Sequence, residues 1–570
     1  MRRNSHSLYR IERETPPSQS ITDRQTESID IDRDCVKPQT NRHTGLDADS
    51  ICHRDRTQEL PIELPPLPQG PPLPQPPHPS QEVMLVPVLQ QLLGLKSTLH
   101  PPLFRFVITK EAAHHNLQLL IDKKFQLESI LNDPSRPSVT SYGSEFKSPE
   151  SLHLLLHRHP RWPIMKQLLQ QGSKWNMIEV KEEERRKDMK AALHRGNHKS
   201  ANKHQGFLVQ ALSKEIVKGW ELLLPATAVD SLPHLVLSPM GVAEHLGVQE
   251  DGSFAPKMRV THDLSFPGAV SAHSVNSRLL DSDLEPCMFG HALLRLIHRI
   301  VHLRQLYPKR RIWMRKDDAK SAYRRVHLNA ATVFQTAVQL VLAGVQYILL
   351  ALRLPFGGSA CPSEFCLISD IIADVTNDLF ADMSWDPEVV SSTYLNQVPA
   401  PRGLPSDIPF APARSTSVPN IEGAKCSADV FIDDVITVGV DVGINVLKLR
   451  AGPCTVMHAI AQPADYSTTI HRQDFIAADK NEAEGGPEET KIILGWLIDS
   501  RRLLIQLPNH KHTAWSSQLS SFLTRKSANS KDLQSLLGRL EQVAIIMPMF
   551  GHFLNNIRNT EIKATATGKP

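Results

Sequence analysis

The stretch Val430-Phe-Ile-Asp-Asp-Val-Ile-Thr-Val438 constrains this chain more than any other. Two apolar, β-branched runs read as strands, and they meet at Asp433 and Asp434. A buried strand does not hold unpaired acids, because desolvating a carboxylate is costly without a partner or a metal. The runs must therefore form a tight hairpin, or end at the acids, with the carboxylates at the tip. A solvated tip would satisfy a lone Asp-Asp, so what surrounds it in the chain matters.

A second adjacent pair, Asp317-Asp318, stands in the most basic part of the chain. From Arg295 to Arg325 there are eleven Lys and Arg and only these two acids. That pattern suggests a cation site beside an anion-binding surface, and the basic residues of 295–325 are candidates for a nucleic-acid track. The whole chain carries 64 Lys and Arg against 60 Asp and Glu, which excludes a globally basic coat and makes any basic surface local. Arg311 to Asp318 reads as a strand ending in acids. Neighbours on a strand point to opposite faces, so Asp317 and Asp318 do not both join one site. The other acid is left to pair with a nearby Arg or Lys.

The 570 residues are not uniform. Ten of the 43 prolines lie between 61 and 80, and residues 1–84 read as a disordered, Pro-rich tail. Its PxxP spacing would suit an SH3-type partner, and a solvated linker accounts for it as well. Short apolar-periodic runs make 85–205 helical, with Glu182 and Glu183 four residues before Arg186 and Lys187 as on an exposed helix. Seven scattered cysteines without a C-x2-C pair argue against a disulfide scaffold and a structural zinc site. The most apolar stretch, Ala337 to Leu352, is shorter than the ~20 residues that span a bilayer. The N-terminus lacks the apolar core of a secretory signal. The expectation is an intracellular protein, cytoplasmic or nuclear, neither secreted nor in a membrane.

The remaining motifs follow one another in a telling order. A turn at Asp251-Gly252 leads into an alternating strand with Lys257, Arg259, Thr261 and Asp263 on one face. The acidic strand ending at Asp318 is followed by Tyr323, then by a strand pair over 337–352. Leu354-Pro-Phe-Gly-Gly-Ser-Ala-Cys-Pro-Ser-Glu-Phe365 reads as a glycine turn opening a helix. After the Asp-Asp hairpin come Lys480 in a polar segment and Leu494-Gly-Trp496 on a β-like run. In this order, from about 236 to about 555, the chain resembles reverse transcriptases, specifically those encoded by retrotransposons. Phe431 stands where the family's signature has Tyr.

The resemblance implies an α+β right-hand polymerase with an antiparallel palm sheet. Its fingers would span 206–311, the palm 312–385 and 426–500 with the primer grip, and the helical thumb 501–570. An inserted loop would fill 386–425. The implied activity is that of an RNA-directed DNA polymerase, a nucleotidyltransferase adding dNTPs to a primer 3′-hydroxyl on an RNA or DNA template. Two Mg2+ ions would serve as cofactors, and Mn2+ could replace them. Asp318, Asp433 and Asp434 would be the catalytic, metal-binding acids, the spacing to Tyr323 selecting Asp318 over Asp317. Lys257 and Arg259 would meet the triphosphate through charge-assisted hydrogen bonds. Tyr323, Phe356 and Gly357 would line the nucleotide site, with Tyr323 excluding a ribose 2′-hydroxyl and Gly357 and Gly358 allowing close backbone approach. Lys480 would protonate the leaving pyrophosphate, and Leu494, Gly495 and Trp496 would form the primer grip. No stretch has the spaced acids of an RNase H domain, and none resembles a protease or an integrase. The chain is thus read as a fragment of a longer element polyprotein or as a shortened copy. A catalytically silent, nucleic-acid-binding remnant of a reverse transcriptase is the alternative. An unrelated metal-dependent nuclease or phosphatase would use the same carboxylates but leaves the glycine turn and the basic strand unexplained.

Overall fold

The computed structural model describes residues 84–248, 254–280, 287, 289–413, 425–525 and 527–567. The Pro-rich tail, apart from Met84, and the Asp251-Gly252 turn lie outside the described residues. Eight helices come first: α1 (Leu85–Gly94), α2 (Lys110–Asp122), α3 (Leu127–Leu131), α4 (Pro149–Leu156), α5 (Trp162–Gln171), α6 (Glu182–Arg195), α7 (Lys199–Lys203) and α8 (Gln205–Val217). Their starts are written in the sequence. Thr109 and Ser148 cap α2 and α4 by accepting from Ala112 N and Ser151 N, and Pro149 opens the first turn of α4. On α6 the expected ion pairs form, Arg186 with Glu182 at 2.8 Å and Lys187 with Glu183 at 2.7 Å. Leu89, Leu92, Leu120, Leu152, Met165 and Leu212 turn inward at helical spacing into one large core.

The strands are β1 (Glu221–Pro225), β2 (Leu237–Ser238), β3 (Met240–Val248), β4 (Phe254–His262), β5 (Ile312–Asp318), β6 (Ala337–Leu342), β7 (Val345–Ala351), β8 (Cys426–Phe431), β9 (Asp434–Val440), β10 (Thr490–Ile493), β11 (Trp496–Asp499) and β12 (Leu504–Gln506). Between and after them lie α9 (Ala292–Leu306), α10 (Ala330–Val333), α11 (Cys361–Ala381), α12 (Asn445–Ile460), α13 (Ala478–Glu484), α14 (Asn509–Thr524), α15 (Ser530–Ile546) and α16 (Gly551–Thr567). The class is α+β. Sheets run β1-β7-β6-β2, β3-β4, β5-β9-β8 and β10-β11-β12, and every pairing is antiparallel except the short β2–β6 contact. The strand pair expected over 337–352 forms, and it joins β1 and β2 rather than the acidic strand. Among the described residues, no helix is long and apolar enough to cross a membrane.

The β5-β9-β8 sheet is buried on both faces, so its strands read as nearly continuous apolar runs. Period two sorts β5 cleanly. Ile312 and Met314 pack with α9, Ile436, Val438 and Trp496, while Trp313 faces the core shared with α11 and α12. The outer edge of β8 is closed by Asn377 of α11, whose side chain donates to Ala428 O at 2.9 Å and accepts from Ala428 N at 2.7 Å. Such a bracket occupies backbone groups that an edge strand would otherwise offer to another chain.

The described part of the expected inserted loop, 386–413, is anchored rather than loose. Val390, Tyr394 and Val398 are buried. The hydroxyl of Ser392 meets His458 Nδ1 at 2.6 Å, and Arg501 donates to Pro405 O at 2.6 Å. Residues 414–424 lie outside the described residues.

Four of the eleven cations in the basic stretch are withdrawn from the expected track. Arg304, Arg315, Arg324 and Arg325 are each at most 2 % exposed. Arg304 donates to Arg310 O and Ser500 O, Arg315 pairs with Asp317, Arg324 with Glu215 and Glu221, and Arg325 with Glu145. Buried carboxylates and carbonyls need cationic donors, and these arginines supply them instead of facing a polyanion.

Candidate active site

The β8–β9 hairpin is as tight as the sequence demands. Phe431 pairs with Asp434, leaving Ile432 and Asp433 at the tip. Ile432 has φ +57°, a left-handed conformation that costs a β-branched residue roughly 1–3 kcal/mol. The strain is held because the flanking strands are fixed on both sides. Directly across the ladder, Asp434 faces Asp318, and Ala319 N donates to Asp433 O at 3.1 Å. The sheet thus brings together three acids from two parts of the sequence. One candidate ligand oxygen from each of Asp318, Asp433 and Asp434 lies within 4.8 Å of the others, and among the described residues this is the one such cluster of three. Asp317 points the other way and is buried against Arg315, as its place on the strand requires.

Helix α13 closes the site. Its position is set by backbone bonds from Ala477 N to Asp318 O and from Lys320 N to Phe475 O. It delivers Asn481, which accepts from Asp318 N at 2.8 Å, and Lys480, whose ammonium sits on Asp318 Oδ2 and 3.8 Å from Asp434 Oδ1. Lys316, on the same face of β5 as Asp318, stands 3.9 Å from Asp434 Oδ1 and is held by Glu484 at 2.6 Å. Neither Asn481 nor Lys316 was singled out by sequence. Period two from Asp318 would have found Lys316, whereas nothing local marks Asn481.

Electrostatics inside the cluster are unfavourable to the bare acids. Burial raises the Asp318 carboxyl above its ordinary range, despite Lys480. Burial and the neighbouring Asp434 raise Asp433. Burial pushes Asp434 up to about 6, and the approach of Asp318 adds to it, against the pull of Lys316 and Lys480. Burial pulls Lys480 downward, but its hydrogen bond to Asp318 and the charges of all three acids outweigh this and raise it. Asp434 Oδ1 is buried with no hydrogen-bond partner among the described residues. Converging carboxylates with an orphaned oxygen fit a hard divalent cation, which takes oxygen ligands and repays their desolvation.

An aromatic wall adjoins the acids. The Tyr323 ring is 5.4 Å from Phe356 and 6.2 Å from Phe365. Burial raises the Tyr323 hydroxyl pKa, with the buried thiols and Asp433 adding to the effect. Phe356 is 51 % exposed, unusual for a ring beside so much buried structure. Gly357 has φ +119°, and a Cβ there would lie 1.9 Å from His262 O. The end of β4 therefore packs directly on the glycine turn, and His262 N donates to Phe356 O at 3.0 Å. Asn276 locks the same turn by donating to Gly357 O at 2.8 Å and accepting from Ser359 N at 2.9 Å.

Not every candidate joins this group. Lys257 and Arg259 are exposed on β4, on one face as alternation predicts, and pair with none of the three acids. Leu494 and Gly495 are not on a strand. With φ +50° and +84° they form the two-residue turn between β10 and β11, the conformation that matches the twist of a hairpin. Their carbonyls accept from Gln542 of α15 and Lys511 of α14, and Trp496 is buried in the core with α9. This second hairpin is tied to β5 by reciprocal bonds between Met314 and Glu488, at 2.8 and 2.9 Å.

No protein-family model and no curated protein matches the chain. Among solved structures, it is similar to a foamy viral protease-reverse transcriptase in complex with double-stranded DNA, at 14 % identity and a TM-score of 0.32. The similarity covers 62 % of this chain and 42 % of that one, so the chain spans less than half of that protein's length.

Proposed function

We propose that the chain is an RNA-directed DNA polymerase of a retroelement, built as a right hand on the α+β framework. The observation that carries this reading is the meeting of Asp318 with Asp433 and Asp434, 115 and 116 positions away, beside Tyr323 and the glycine turn. In the division implied by the motifs, fingers span 206–311, palm 312–385 and 426–500, and thumb 501–570. The sheet that unites β6 and β7 with β1 and β2 then bridges fingers and palm.

Asp318, Asp433 and Asp434 would hold the divalent ions. Bound there, Mg2+ would activate the primer hydroxyl and neutralise the triphosphate. The chain's own residues supply the rest. Lys480 stays protonated at neutral pH against three acids, which suits a proton donor to the leaving group. Tyr323 and the exposed Phe356 offer flat surface for a sugar, and Asn276 keeps the Gly357 backbone fixed where a nucleotide would approach. Lys257 and Arg259 are free on the surface of β4 to meet phosphate. Template and primer would be held through phosphate and sugar, which carry no sequence information.

Primer extension on an RNA template with a DNA primer, dNTPs and Mg2+ tests the reading. Wild type should extend, Asp433→Asn should not, and rNTPs should be poor substrates. A folded wild type that binds primer–template without extending it would make the chain a silent scaffold.

A further inference from the structure

Glu145 belongs to none of the motifs that carry the polymerase reading, yet it is 4 % exposed and is bonded to two segments of the site through Arg325 and Arg353. It lies between α3 and α4. Its Oε2 accepts from Arg325 Nη1 at 2.7 Å and its Oε1 from Arg353 Nη2 at 3.1 Å. Arg325 directs its remaining donors, and Arg353 the rest of its two terminal nitrogens, at backbone carbonyls. Arg325 donates to Lys320 O at 2.8 Å, to Gln473 O at 2.9 Å and to Asp474 O. Arg353 donates to Arg324 O at 3.1 Å, Arg325 O at 3.3 Å and Val139 O at 2.6 Å.

These bonds clamp both ends of the 320–325 turn, which carries Tyr323. They also fix residue 353, from which Leu354-Pro-Phe356 departs. The β8–β9 hairpin with Asp433 and Asp434 receives none of them. One carboxylate therefore sets the two guanidinium forks that place the two facing rings; Arg325 also holds residues 473–474, ahead of α13, and none of these bonds reaches the tip acids. A third buried guanidinium, Arg472, holds the same segment by donating to Ser144 O at 3.1 Å.

We propose that Glu145 is a positioning residue for sugar discrimination, acting through Arg325 and Arg353 on the spacing of Tyr323 and Phe356. The proposal rests on the polymerase reading. A fixed Tyr323 leaves no room for a 2′-hydroxyl, whereas a loosened turn lets the ring retreat and admits it. Glu145→Asp shortens the side chain by one methylene, so that it reaches one fork and not both. Glu145→Gln keeps the length and turns one oxygen into a donor facing a donor.

The test is the ratio of kcat/KM for a dNTP over the matching rNTP in primer extension, because a ratio does not depend on how much protein is folded. It should fall about tenfold in both Glu145 variants, the scale on which a binding site senses one misplaced contact. Should these not fold, Arg353→Lys, which keeps the charge and loses the fork, should show the same fall. Lys147→Met serves as control, since this buried neighbour bonds Leu95 O and reaches no part of the site. An unchanged ratio in the Glu145 and Arg353 variants that extend DNA, or an equal fall in the control, overturns the proposal alone. No extension by folded wild type overturns the polymerase reading and this proposal with it.

Discussion

Replacing Asp434 with Asn should make the metal-free protein more stable at pH 7, although it removes a residue at the centre of the candidate site. In the fold the Asp434 carboxyl is pushed up to about 6 from its ordinary 3.8, chiefly by burial. Moving a titration by one pH unit corresponds to ~1.4 kcal/mol, so the ionised group costs the native state up to about 3 kcal/mol at pH 7. The attraction of Lys316 and Lys480 is already contained in that figure. The sign follows from linkage: a carboxyl raised in the folded state favours folding below its unfolded pKa, and that contribution is lost as pH rises through the folded value. Urea unfolding in EDTA should therefore show wild type and Asp434→Asn alike near pH 3.5. A gap of about 2–3 kcal/mol in the variant's favour should open between pH 4 and 6 and stay constant above. Adding Mg2+ should narrow or reverse the gap, since an ion at 100 times its Kd stabilises wild type by ~2.7 kcal/mol and the variant far less. A variant less stable than wild type in EDTA at pH 7, by an amount that vanishes in acid, would refute the account. The three acids would then be a structural ion-pair cluster.

Two further outcomes follow from the same geometry. Gly357→Ala should lower stability by roughly 1–3 kcal/mol from its positive φ alone, and more from the clash with His262 O, while abolishing extension; thermal unfolding and primer extension read both. Burial, with Arg324 nearby, pulls His262 down to about 3 from 6.5, so native His262 is neutral where the unfolded residue takes a proton. Stability should accordingly fall as pH drops below 6.5, by about 2 kcal/mol at pH 5 from this residue, and His262→Gln should flatten that limb in urea titrations.

The parts of the site that were legible in sequence are those written locally. The run around Asp433 required a hairpin tip or a strand end, period two separated Asp318 from Asp317, and Gly357-Gly358 ahead of Pro362 marked a turn entering a helix. What was not legible depends on distant partners. Counting eleven cations over 295–325 suggested a surface, because the count omits Glu145, Glu215, Glu221 and the Ser500 carbonyl, which bury three of them. Lys480 stands out by its place in the order of motifs alone; its contact with Asp318, across 162 positions, has no local pattern to mark it. The turn at Leu494 was missed for another reason. Leucine carries no turn signature, and its left-handed conformation is imposed by the pairing of β10 with β11.

The clamp around Glu145 also sets a schedule for making the protein. Arg325 and Arg353 follow Glu145 by 180 and 208 residues, and Arg472 reaches back 375 positions to Ser97. At ~5–20 residues per second, the ribosome needs about 20–75 s to supply that last partner. Until then the first helices carry a carboxylate and backbone carbonyls meant for guanidiniums not yet synthesised, and the face of α1 that packs on α12 has no cover. The amino-terminal third of the described chain is thus translated first and completed only once Arg472 has emerged.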